Sequence, residues 1–208
     1  MKLNRQTSRK GFTLVEILVG VAILAMLASG MWVAVASYQN KKLVKKAETE
    51  ITLLEAAMNE YRTDNGGLLP FGRGDEESSN ILYRALSCDE DNDGEPDEDS
   101  SGNTRMPYCR TLNVIKNPKE AEQGEGIPVL RASIRTKEKG RRKMLVIIDP
   151  WGKPYRYRLG CEAEDEKGKT GTGINADFDI FSQGADGQGD STNKKGENED
   201  NISNIKLW

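Results

Sequence analysis

The sequence contains no histidine. That removes the commonest general base and the commonest metal ligand, and with them any Ser-His-Asp or Cys-His catalytic arrangement. It also lacks a G-x-S-x-G elbow and a Gly-rich phosphate loop. The three cysteines, Cys88, Cys109 and Cys161, form no C-x-x-C pair, so neither a zinc site nor a thiol-exchange site is indicated. Basic charge is not in excess: 30 Lys and Arg stand against 33 Asp and Glu, which gives no global field for nucleic acid. Together these absences point away from an enzyme and from a nucleic-acid-binding protein. The hydrophobic share is a modest 36%, and much of it lies in the first 36 of the 208 residues. That length suits one domain plus an anchor.

The N-terminus is where the sequence is most informative. Residues 1–10 carry Lys2, Arg5, Arg9 and Lys10 and no acid. Phe12 to Ala36 then form an apolar run of 25 residues in which Glu16 is the single charge. As a helix the run would be about 37 Å long at ~1.5 Å per residue, enough for a bilayer core of roughly 30 Å. The basic flank would remain cytoplasmic. A secretory signal peptide has an apolar region of only ~7–15 residues, so the run is too long for one. A plain single-pass anchor fits the length but leaves Glu16 unexplained. An ionisable group inside such a span costs at least ~2.5–3.5 kcal/mol and should have a partner.

The segment Lys10-Gly11-Phe12-Thr13-Leu14-Val15-Glu16 resembles the processing site of the prepilin family, the type IV pilins and type II secretion pseudopilins. The resemblance implies that prepilin peptidase removes residues 1–11 by cutting between Gly11 and Phe12, and that Phe12 is then N-methylated. It also implies that Glu16 directs filament assembly. A carboxylate and the new ammonium on Phe12 of a neighbouring subunit would each relieve the other's burial in an apolar bundle.

Beyond Ala36 the pattern becomes amphipathic. Val44, Ala47, Ile51, Leu54, Met58 and Tyr61 recur at helical spacing, with Lys41, Lys42, Lys45, Lys46, Glu48, Glu50, Glu55 and Glu60 on other faces. Asp64-Asn65-Gly66-Gly67 supplies a stop and Pro70 follows, so one helix of about 50 residues is expected. A short helix is expected at 81–86. Strands are expected at 129–136 and 143–148 around a turn at Gly140, then from Tyr155 to Leu159 and from Phe178 to Ser182. Six basic residues lie between Arg135 and Lys143, a pattern read as a solvated hairpin tip, with a partner-binding patch as the other reading.

Two further stretches narrow the resemblance. Tyr61-Arg62-Thr63-Asp64-Asn65-Gly66 with Leu68-Leu69-Pro70 resembles the helix exit of the major, G-type pseudopilin. Asp149-Pro150-Trp151-Gly152-Lys153-Pro154-Tyr155-Arg156-Tyr157, followed by D-I-F-S-Q-G-A-D-G at 179–187, resembles its C-terminal half. The implied fold is α+β and pilin-like: a long N-terminal helix, half transmembrane and half amphipathic, packed on a small antiparallel sheet with a C-terminal calcium loop. The implied organisation is a leader at 1–11, a membrane and filament-core helix at 12–36, and an extracytoplasmic domain at 37–208, with residues 88–140 as an acidic insertion.

The implied function is a filament subunit of a type II secretion pseudopilus. It would be rooted in the bacterial inner membrane, with its C-terminal domain in the periplasm. Its implied partners are further copies of itself, minor pseudopilins, prepilin peptidase and an inner-membrane assembly platform. A pilin of a type IV pilus or competence system shares the leader. A membrane-anchored calcium-binding module that never polymerises is a rival of another class.

Calcium is the implied cofactor. The resemblance carries its ligands onto Asp186, Asp200 and Asn201, with Gln183 offering a carbonyl. Oxygen ligands on a Gly-rich loop suit a hard, flexibly coordinated cation. A second loop, Asp89-Glu90-Asp91-Asn92-Asp93-Gly94-Glu95-Pro96-Asp97, matches the first half of an EF-hand-type loop through Asp89, Asp91 and Asp93. Ser100 stands where the bidentate glutamate would be, and Asp97 can serve instead. A solvated acidic loop is the other reading of these residues. In an oxidising compartment Cys88 and Cys109, which flank this loop, are the preferred disulfide pair, with three free thiols as the open alternative.

Overall fold

A computed structural model describes residues 11–117, 120, 124–136, 140–188 and 201–205, and omits the side chains of residues 28–37. The leader residues 1–10 therefore lie outside the described residues. Two compact units are present, Met1–Lys42 and Leu43–Trp208.

The first unit holds the beginning of helix α1, Leu14–Asp64. Its described apolar side chains are open to solvent in the single chain, with Phe12 84% and Leu14 79% exposed. Among the described residues no helix is long and apolar enough to cross a membrane. The side chains from Ala28 to Ala36, which complete the apolar run, are outside that set.

In the second unit the amphipathic stripe is borne out. Ala47, Ile51, Leu54 and Met58 are buried and Tyr61 is half-buried. Glu50 departs from the expectation. It lies on the buried side of the helix, only 4% exposed, because Tyr155 reaches up to meet it. The helix ends at Asp64 as its stop signal requires: Gly66 and Gly67 take positive φ, and the Gly67 N–H donates to the Arg62 carbonyl at 2.8 Å.

Helix α2 runs over Glu76–Ser87, longer than the expected 81–86. Asp75 caps it by accepting the Ser78 N–H at 3.1 Å, so the polar stretch Asp75–Ser79 is a helix start rather than a loop. At its other end Cys88 is left-handed, with φ 58°.

Among the described residues two sheets of three strands each complete the unit, where one small antiparallel sheet was expected. The first is mixed. β1 (Leu112–Ile115) pairs in parallel with β2 (Ile127–Thr136), which pairs antiparallel with β3 (Gly140–Ile147). β1 belongs to the segment read as an insertion, so that segment contributes an edge strand to the sheet. The second sheet is β4 (Arg156–Leu159), β5 (Phe178–Ser182) and β6 (Ile202–Ser203), all antiparallel.

One core joins these parts. Ile51, Leu54 and Met58 of α1 meet Leu82, Tyr83 and Leu86 of α2, and both pack on Val129, Leu145, Ile147, Tyr155, Tyr157, Phe178 and Ile180. Burying each such side chain contributes roughly 1.5–3 kcal/mol. A smaller cluster of Ile115, Ile134, Val146 and Ile148 covers the opposite face of the first sheet, as strand alternation dictates.

Candidate functional site

At the N-terminus, Thr13 and Glu16 close a reciprocal cap on α1. The Glu16 carboxylate accepts the Thr13 N–H at 2.8 Å and its hydroxyl at 2.9 Å, while the Glu16 N–H donates to Thr13 Oγ1 at 3.3 Å. The T-x-x-E spacing of a capping box was present in the sequence as a signal for this. Gly11 and Phe12 precede the helix, exposed.

The acidic loop is ordered around Asp89, which is fully buried. Its Oδ1 accepts the N–H groups of Asn92 and Asp93 at 2.7 and 3.2 Å; its Oδ2 accepts the Tyr83 hydroxyl at 2.6 Å and the Gly94 N–H at 2.9 Å. Burial and this acidic partner push the Tyr83 phenol up. Asn92 and Gly94 take positive φ to close the turn. Asp91 Oδ1 accepts the Asp93 N–H and Asp93 Oδ1 accepts the Glu95 N–H, at 3.0 and 2.8 Å. The outcome is convergence: one oxygen each from Asp89, Asp91 and Asp93 lie within 4.8 Å of one another. Asp97 is spent differently, holding the Glu90 N–H at 2.5 Å. Opposite charge touches the loop at its edges, Arg105 on Glu90 at 3.3 Å and Arg131 on the Asn92 carbonyl at 2.6 Å.

Cys88 and Cys109 do not form the expected disulfide; all three cysteines are free. The two thiols have different partners: Cys88 donates to the Met106 carbonyl at 3.5 Å, and Cys109 contacts Thr111 Oγ1 at 3.2 Å.

The two C-terminal motifs form one structure. In the D-P-W-G turn Asp149 Oδ1 accepts the Trp151 and Lys153 N–H groups at 3.0 and 2.9 Å, and Oδ2 accepts the Ser182 hydroxyl at 2.5 Å. Ser182 belongs to the F-S-Q-G stretch, and its oxygen in turn accepts the Gly184 N–H at 3.0 Å. Register pairs Arg156 with Phe181 and Tyr157 with Ile180. Behind the turn the Tyr155 hydroxyl donates to Glu50 Oε2 at 2.8 Å, while Glu50 Oε1 is buried with no hydrogen bond and has the Lys46 ammonium at 3.8 Å. Burial raises the Glu50 carboxyl to about 7, against the pull of Tyr155 and Lys46. Burial raises Asp149 as well. Sequence reasoning missed this network. Its one available signal was a glutamate at the i+3 position from buried Ala47.

The C-terminal loop brings together part of its expected set. Ser182 pairs with Ile202 in the last rung of the sheet, and Gln183 and Asn201 are the residues that follow and precede that pair. Asp186 is exposed and accepts the Gln188 N–H at 2.8 Å; the Gln183 side-chain oxygen accepts from Arg156 at 3.1 Å. Lys153 donates its ammonium to the Ala185 carbonyl at 3.2 Å, and a Cβ added at Gly187 would lie 1.9 Å from that nitrogen. Asp200 lies outside the described residues.

Residues 6–32 match the prokaryotic N-terminal methylation motif. A 64-residue stretch, 31% of the chain, is 41% identical to the type II secretion system core protein G of Vibrio cholerae serotype O1 (strain ATCC 39315 / El Tor Inaba N16961), of which it covers 42%. The motif and this similarity together support a type II secretion pseudopilin.

Proposed function

We propose that the chain is a structural subunit of a type II secretion pseudopilus and has no catalytic role. The observation that carries this reading is the methylation motif over residues 6–32, with Gly11, Phe12 and Glu16 at its spacing. Similarity to a secretion core protein favours the pseudopilus over a type IV or competence pilus. The apolar run 12–36 anchors the subunit in the bacterial inner membrane, with the C-terminal domain in the periplasm. Prepilin peptidase cuts after Gly11, Phe12 is methylated, and the Glu16 carboxylate exchanges its Thr13 donors for the Phe12 ammonium of a neighbouring copy. Minor pseudopilins and an inner-membrane platform complete the assembly.

Calcium is the proposed ion. Asp89, Asp91 and Asp93 suit it because three carboxylate oxygens converge with a geometry that backbone N–H groups enforce, and a hard divalent cation would offset their repulsion. Asp97 would join only by giving up the Glu90 N–H. Asp186, Asn201 and the Gln183 carbonyl would hold a second ion less strongly, because Lys153 already supplies a positive charge at the Ala185 carbonyl.

The test is co-expression of the full chain with a prepilin peptidase, followed by N-terminal mass analysis and filament counting for wild type and Glu16→Ala. The reading requires a methylated Phe12 terminus and filaments that Glu16→Ala abolishes. A processed chain that forms no filaments would instead make it a solitary anchored module.

A further inference from the structure

The first sheet's hairpin carries a cationic end that the subunit's own contacts do not account for. By register and alternation, one face of β2 and β3 runs Arg131 opposite Leu145, Ser133 opposite Lys143, and Arg135 opposite Arg141. Nearer the middle of the chain's fold this same face is core, with Val129, Leu145 and Ile147 buried. Past the edge of the core it becomes a row of exposed cations, and Arg142 adds another on the reverse face. Like charges directly opposite on adjacent strands are destabilising, so the Arg135–Arg141 rung works against the hairpin that bears it. Neither arginine, nor Arg142 or Lys143, makes a salt bridge among the described residues. Glu76 accepts the Arg135 backbone N–H at 3.1 Å, and Arg141 donates to the Ser133 carbonyl at 2.9 Å.

The same subunit displays the complementary charge. Glu95, Glu98 and Asp99 are exposed on the acidic loop and take no part in its three-carboxylate convergence. Of the hairpin's cations described, Arg131 alone donates to that loop, and Arg105, outside the hairpin, pairs with its Glu90. Arg135 stands four residues further along the strand, about 13 Å at ~3.3 Å per residue, beyond the Debye length of about 8 Å at physiological salt. Among the described residues no salt bridge joins the hairpin's cations to the acidic loop of their own chain.

We propose that Arg135, Arg141, Arg142 and Lys143 form the docking surface for the acidic loop of a second copy of this chain, engaging its Glu95, Glu98 and Asp99. Residues 137–139, at the hairpin tip, are outside the described residues and are not part of the surface. Because each subunit carries both surfaces at different places, the contact is head-to-tail and propagates rather than closing into a pair. This rests on the filament reading and names the contact through which periplasmic domains would meet.

Charge reversal tests it on the full chain assembled in membranes and treated with a short amine–carboxyl cross-linker. Arg141→Glu with Arg142→Glu, or Glu95→Lys with Glu98→Lys, should each reduce the ladder of cross-linked multimers by about tenfold, as exposed attractive pairs become repulsive ones. Combining all four substitutions should restore it, which also excludes misfolding as the cause. A ladder unchanged by either reversal overturns the proposal and leaves the filament reading standing. A ladder weakened by the hairpin reversal but not restored by the combination overturns it as well and points to another acidic surface. Co-sedimentation with vesicles of anionic lipid then identifies a membrane as that surface. A wild-type chain that gives no ladder at all overturns the filament reading itself.

Discussion

Replacing Glu50 by Gln isolates a carboxyl that the fold buries against its own interest. Glu50 is 4% exposed; Tyr155 satisfies one oxygen, and Lys46 lies 3.8 Å from the other without a hydrogen bond. Burial raises its carboxyl from 4.5 to about 7. At ~1.4 kcal/mol per pH unit, keeping it charged in the folded state costs about 3 kcal/mol relative to keeping it protonated. The sign follows from the direction. The folded state holds the proton more tightly than the unfolded state, so the contribution is fully present below pH 4.5 and is lost as pH rises through about 7. Glutamine preserves the acceptor for Tyr155 and removes the charge. In chemical unfolding of the detergent-solubilised full chain, wild type should therefore lose stability between pH 5 and 8. Glu50→Gln should be nearly flat and more stable than wild type at pH 8 by about 2–3 kcal/mol. Asp149, raised by the same burial, would leave a residual slope of the same sign. Asp99, whose carboxyl is lowered by the Asn103 and Ser101 N–H groups, acts only at more acidic pH. If Glu50→Gln is less stable than wild type at pH 8, the Lys46 ion pair outweighs desolvation and the reasoning fails.

The joint between the two C-terminal motifs should be as sensitive. Asp149→Ala strips the acceptor from the Trp151 and Lys153 N–H groups and from buried Ser182, and should cost about 2–4 kcal/mol in denaturant melts, against a smaller loss for Ser182→Ala. Gly72→Ala should destabilise strongly on calorimetry, because a Cβ there meets the Tyr157 ring at 2.2 Å and its backbone oxygen at 2.7 Å. Calcium should raise the melting temperature of the full chain, and Asp91→Ala with Asp93→Ala should remove most of that gain. Lys153→Asn should enlarge the calcium response, and Asp186→Ala in that background should cancel the increase, by relieving the charge at the Ala185 carbonyl.

Much of the fold was legible where a feature is local. The stripe from Ala47 to Met58 is buried as its period requires, and Gly66 and Gly67 end the helix where their freedom at positive φ allows. The hairpin around Gly140 and the strand at Phe178–Ser182 follow from alternation and turn chemistry. Signals that were present but unread, the Thr13-x-x-Glu16 box and the Asp75 cap, are also local. What went unread for cause depends on distant partners. β1 and β6 are four and two residues long, too short to show a period, and are strands only because β2 and β5 offer an edge. Glu50 reads as a surface charge until Tyr155, 105 residues later, is brought to it.

The candidate sites divide in the same way. The sequence by itself marked the methylation motif, since Gly11, Phe12 and Glu16 are set by their spacing around one helix start. It also determined which loops are rich in carboxylates. Only the tertiary structure decided that Asp89 is buried under Tyr83, so that Asp91 and Asp93 converge with it, and that Lys153 lies over the G-A-D-G turn. It alone set Arg135 against Arg141 and turned the Cys88 and Cys109 thiols to different partners. The physical reason is common to all of these. Periodicity and turn chemistry are properties of neighbouring residues. Burial, charge pairing and hydrogen-bond satisfaction depend on what the folded chain places alongside.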